Sequence, residues 1–208
     1  MTARLPLRRL ARLALACGAS LLLGCAALPD KPARPVVYDF GPGPLSLPPP
    51  ATSALPALTL AEIEAPAALE GTAMVFRLAY ADATQLRPYA LARWSMPPAQ
   101  LLHQRVREGL EAQRPVLNGV QPGSGPLLRI ELEEFVQLFD SPERSSGLVR
   151  LRATLLKADN TGEQLLAQRR FVMLRPAASP DAPGGVRALS EATEALVQQL
   201  AQWLAAMR

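Results

Sequence analysis

The sequence predicts an α+β domain in which two main helices pack on a mixed, largely antiparallel sheet. Three observations carry this. Residues 127–139, 148–156 and 165–174 read as strands, the first two alternating apolar and polar side chains, the period of a half-buried strand. The stretches Ser95 to Pro115 and Gly185 to Ala206 repeat apolar residues every three or four positions, as helices with one buried face do. Nine prolines fall between residues 26 and 57, so the globular part is expected to begin near Leu58.

The chain opens on a leader. Arg4, Arg8, Arg9 and Arg12 precede an apolar run from Leu13 to Leu23, too short to span a bilayer and flanked as a secretory signal is. The run ends on Leu22-Leu23-Gly24-Cys25, which resembles the bacterial lipoprotein box. In that chemistry the Cys25 thiol accepts a diacylglyceryl group, cleavage follows Gly24, and the freed amine is acylated. Three acyl chains at ~0.8 kcal/mol per buried CH₂ make such an anchor permanent. The alternative is an ordinary signal peptide with a chance cysteine. Cys17 is a poor rival, because Ala14 occupies its −3 position. Ala26 follows the box where an aspartate would resemble an inner-membrane retention signal, which favours the outer membrane and a periplasm-facing domain. The expected organisation is a lipoprotein signal peptide over 1–24, a lipidated cysteine and proline-rich tether over 25–57, and one domain over 58–208.

Charge and cysteine content narrow the function classes. The whole chain holds 22 basic and 18 acidic residues, but four arginines lie in the leader, leaving a formally neutral remainder. The high pI is therefore no argument for nucleic acid. With Cys17 removed and Cys25 acylated, no thiol is left for a disulfide, a redox pair or a zinc site.

The tether reads as extended, with a reach on the order of 100 Å at ~3.1 Å per residue. Within it Val36 to Phe40 is β-prone; it either docks as an edge strand or stays disordered. Leu58 to Glu64 is strand-like. Thr72 to Tyr80 and Leu86 to Trp94 suit a hairpin. Ser95-Met96-Pro97-Pro98 is a helix start, with proline tolerated in the first turn. On that helix Leu102, Val106, Gly109 and Leu110 form the apolar stripe, while Gln104, Arg105, Arg107, Glu108 and Glu111 face away. Asn160-Thr161-Gly162 suits a three-residue hairpin loop, with Gly162 left-handed, and that register sets Leu151 opposite Phe171 and Val149 opposite Met173. The last helix aligns Leu189, Thr193, Leu196, Leu200, Trp203 and Met207.

Little in the chain suggests chemistry. His103 is the single histidine, placed on the polar side of the first helix, and no G-x-S-x-G elbow accompanies it. Glu131, Glu133 and Glu134 read as cross-strand partners of Arg150 and Arg152 rather than as an acid pair. Gly123-Ser124-Gly125 lacks the lysine of a phosphate loop. No catalytic residue, metal ligand or cofactor is assigned. On Tyr89 to Trp94 the alternation points Tyr89 and Arg93 outward as candidate partner contacts, and Trp94 toward the core, with a partner contact as its alternative.

Phe76-Arg77, Arg87 to Trp94, Pro97-Pro98, Leu101-Leu102, Leu132 to Phe135, Phe139 to Pro142 and Trp203-Leu204 together resemble the ABC-type transport auxiliary lipoproteins. That family includes the lipoprotein of the paraquat-inducible (Pqi) type of intermembrane transport system. The resemblance covers roughly residues 58–208. It implies a non-catalytic lipoprotein, placed by Ala26 on the outer membrane, that works with an MCE-domain protein, a permease and an ATPase to move lipids or apolar compounds; a homo-oligomeric ring docking the MCE protein through sheet edges and residues such as Tyr89 and Arg93 is the expected arrangement to test. A structural lipoprotein for outer-membrane assembly or cell-wall contact is the competing reading.

Overall fold

Alternation over more than a dozen residues makes three long strands, and these form the frame of the domain. They are Pro126–Ser141 (β6), Arg144–Asp159 (β7) and Gly162–Pro176 (β8). Before them come Val36–Tyr38 (β1), Leu58–Leu60 (β2), Ala73–Leu78 (β3), Arg87–Trp94 (β4), the helix Pro98–Glu111 (α1) and Val116–Asn118 (β5). The helix Ala182–Ala206 (α2) closes the chain. The computed structural model describes residues 33–43, 55–118, 125–159 and 162–207. The chain divides into units Met1–Arg34 and Pro35–Arg208, and every element named here belongs to the second.

Strand β6 is the spine of the single sheet. Along one edge it pairs antiparallel with β7, which pairs antiparallel with β8. Its other edge is shared: Thr59 and Leu60 run parallel to Leu127 and Leu128, while Phe76 to Leu78 run parallel to Gln137 to Phe139. Strand β5 extends β2, and β4 then β1 extend β3. The long pairings are antiparallel and most of the short ones parallel, so the sheet is mixed and largely antiparallel, as expected.

Both helices lie on one face. Leu128, Ile130, Leu132 and Phe135 of β6, Val149 and Leu151 of β7, and Phe171 and Met173 of β8 are buried with Leu189, Leu196 and Leu200 of α2. Each such side chain contributes ~1.5–3 kcal/mol when removed from water. Trp203 meets Phe171 edge-on at 5.8 Å. The helix approaches closely because Gly147 carries no side chain: a Cβ there would stand 2.5 Å from the Leu189 nitrogen and 2.6 Å from the Ala188 carbonyl carbon.

The expected pairs Leu151–Phe171 and Val149–Met173 are present. The pairing beside the turn differs from that of the expected three-residue loop, in which Asp159 would face Glu163. Asp159 pairs with Gly162, whose φ is +135°, and Asn160 and Thr161 lie outside the described residues. A bulge then restores the register, since Leu156 pairs with Leu165 and Leu155 with Ala167, leaving Leu166 as the extra residue.

Two expectations change and one open alternative is decided. Met207 does not join the α2 stripe; it follows the helix end and is 45% exposed. Arg105 does not face solvent but is buried. Of the alternatives for Val36 to Phe40, docking holds. Strand β1 runs parallel to β4, with Val36 beside Ala92 and Tyr38 beside Trp94, and Ser95 N donates to Tyr38 O at 2.7 Å.

Candidate functional site

The β1–β4 corner carries most of the residues singled out in the sequence. Trp94 ends β4 fully buried, with Phe40 at 5.8 Å and Phe135 at 5.5 Å, both edge-on. It seals the core. Pro97 and Pro98 start α1 directly after it, where a missing N–H costs nothing. Leu22, Leu23, Gly24 and Cys25 lie outside the described residues, as do Gly123 and Ser124.

Tyr89 is corrected. Its hydroxyl donates to Gln137 Oε1 at 2.8 Å, and its ring lies 4.7 Å from that of Phe76. Burial, aided by the nearby Asp181 carboxylate, pushes its pKa up to about 12, which keeps the donor protonated. The physical reason is register. Ala73 pairs with Arg93 but Val75 pairs with Pro88, so β4 advances five residues against two on β3, and simple alternation fails across the gap. Arg93 stays exposed, as expected, beside Leu91, which is also exposed.

Gln137, wholly buried, organises this region. Its Nε2 donates to Ser145 Oγ at 2.8 Å and to Asp181 O at 3.1 Å while its Oε1 accepts from Tyr89. Asp181 in turn caps α2, accepting from Gly184 N at 2.8 Å and Ser179 Oγ at 2.6 Å, and these bonds lower its pKa. Gly185 leaves room for the amide, because a Cβ there would collide with Gln137 Oε1. The sequence signal was a glutamine at an inward position between Phe135 and Phe139.

Arg105 is the second residue that sequence reasoning missed. Its Nη2 donates to the carbonyls of Phe40 at 3.1 Å and Gly41 at 3.3 Å, and its Nη1 lies 3.2 Å from Glu194 and 3.3 Å from Glu108. It thereby clamps the segment after β1 onto both helices.

On the face opposite the helices, Glu131, Glu133 and Glu134 are partners of arginines, as expected. Arg152 reaches Glu131 at 3.2 Å and Glu133 at 2.9 Å, Arg170 reaches Glu133 at 2.9 Å, and Arg150 reaches Glu134 at 3.3 Å. A bulge at Glu133 brings the extra carboxylate into this ladder. Each exposed pair stabilises by only ~0.2–1 kcal/mol, so the ladder fixes register more than it adds stability. His103 is half-buried on α1, with Nε2 shielded and unpartnered. Among the described residues no cluster of His, Cys, Asp or Glu is grouped as a metal site would be, and no helix is long and apolar enough to cross a membrane.

Solved structures share this fold. Protein XCC0632 from Xanthomonas campestris, of the DUF330 family, superimposes with a TM-score of 0.68 at 20% identity, covering 83% of this chain and 96% of that one. A second crystallised protein, described as uncharacterized, gives 0.63 at 14% identity, covering 82% and 99%. No curated protein matches the chain. Residues 38–201 match the family described as the ABC-type transport auxiliary lipoprotein component. That match begins inside β1, the strand whose docking joins the proline-rich segment to the domain, and ends within α2. The chain belongs to the ABC-type transport auxiliary lipoprotein family.

Proposed function

We propose that this lipoprotein is a non-catalytic accessory subunit of an intermembrane transport system, acylated on Cys25 and held on the periplasmic face of the outer membrane. In this reading it works with an MCE-domain protein, an ABC permease and its ATPase to move lipids or apolar compounds. The observation that carries it is the family match over 38–201 downstream of the Leu22–Cys25 box. The exposed Arg93 and Leu91, beside the edge strand β1, are the proposed partner contact. Strand β8 supports self-association as well: among the described residues it pairs with β7 alone, leaving a 15-residue edge for a second copy.

Photocrosslinking from position 93 in cells tests the partner, and palmitate labelling of the Cys25→Ala variant tests the anchor. Crosslinks to an MCE protein, with labelling lost in the variant, are expected. Crosslinks confined to the cell wall or to outer-membrane assembly proteins would instead establish the structural-lipoprotein reading. Equal labelling of variant and wild type would remove the anchor.

A further inference from the structure

Arg114, between the end of α1 and Pro115, is 5% exposed. A buried guanidinium normally has its donors bound and its charge matched, because an unpaired ion in low dielectric is costly. Arg105 shows how this chain does that, with two carbonyls and two carboxylates. Arg114 differs. Its Nε is buried without an acceptor, and no carboxylate pairs with it among the described residues. Burial lowers its pKa, the direction expected of an uncompensated cation.

The same arginine lines a cleft of about 470 Å³. The other walls are Leu55, Pro56, Pro126, Leu155, Leu204 and Met207, all apolar. The volume falls within the ~300–1,000 Å³ typical of ligand sites. One fixed cation among hydrocarbon walls matches a molecule with one anionic head and an apolar body, and the planar guanidinium suits a carboxylate or phosphate equally.

We infer that this cleft binds an anionic amphiphile, its head on Arg114 and its hydrocarbon against Leu155, Leu204 and Met207. The site is independent of the transport partner proposed above, since it can be read on the isolated chain.

The full chain carrying Cys25→Ser is titrated with a fluorescent fatty acid, and the probe is displaced with oleate, lysophosphatidylglycerol, neutral monoolein or inorganic phosphate, each amphiphile below its micelle concentration. One probe per chain is expected. Displacement by oleate marks a carboxylate head, and displacement by lysophosphatidylglycerol marks a phosphate head. Monoolein should be weaker by about tenfold or more, as should anionic binding to Arg114→Gln, because each lacks the charge-assisted bonds. Met207→Asp, at an exposed position, introduces a carboxylate into the cleft and should weaken anionic binding in the same way. Equal affinity for monoolein and oleate, wild-type affinity in the two variants, displacement by phosphate alone, or no stoichiometric binding would each overturn the inference.

Discussion

Replacing Trp94 with alanine tests the aromatic corner, where the core, β1 and the start of α1 meet. The indole is 1% exposed and packs edge-on against Phe40 and Phe135. Truncation of a buried Trp costs ~3–5 kcal/mol through lost transfer energy and the cavity left behind. The two ring pairs, each ~0.5–1.5 kcal/mol beyond burial, place the loss in the upper half of that range, near 4–5 kcal/mol. With a urea m-value of ~2 kcal/mol/M, the unfolding midpoint should fall by about 2 M. Far-UV circular dichroism is the suitable probe, because the substitution removes one of only two tryptophans. The measurement uses the full chain with Cys25→Ser. Trp94→Phe should lose less than half as much, since a ring remains beside Phe40 and Phe135. A midpoint shift for Trp94→Ala below about 0.5 M, corresponding to ~1 kcal/mol, would refute the core role and return the ring to a partner contact.

Gly147→Ala should destabilise the domain by ~1–3 kcal/mol, as overpacked cores do, because its Cβ meets the α2 backbone rather than a side chain that can rotate away; thermal unfolding within a degree of wild type would contradict this. Asp181 has a folded-state pKa below its ordinary 3.8. Its cap therefore contributes stability above that value and loses it as pH falls below it, so Asp181→Ala should lower stability by about 1 kcal/mol near neutrality and much less near pH 2, in unfolding curves compared across pH.

Much of the sheet was legible because β6 to β8 are long and half-buried, so that alternation, turn and register constrain one another. The pairing of Val149 with Met173 follows from that agreement even though the turn itself closes differently. Tyr89 was misread for the opposite reason. Its strand slips by three residues against β3 between Pro88 and Arg93, and a local slip leaves no mark on a period-two pattern. Arg105 sits on the polar side of α1 by helical spacing, and it is buried because a segment more than 60 residues earlier and Glu194 of α2, both distant in sequence, close on it. Arg114 reads in the sequence as an ordinary cation at a helix end. Its isolation depends on Leu155, Leu204 and Pro126 converging from three distant elements. The charge ladder, by contrast, was visible because cross-strand partners follow directly from register.

The docking of β1 shortens the leash that the proposed anchor on Cys25 would give this domain. Strand β1 is part of the fold, so the chain from Cys25 to Val36 would set the reach from the proposed anchor, at most on the order of 40 Å at ~3.3–3.6 Å per residue. A leash running to residue 57 would have allowed on the order of 100 Å. The accessible volume scales with the cube of that radius, so shortening it concentrates the domain near the bilayer by roughly an order of magnitude. Residues 44–54, lying between two docked strands, cannot lengthen it. With the proposed anchor on Cys25, the domain would not travel across to a distant partner, and an assembly that engages it would have to extend its own end to the membrane.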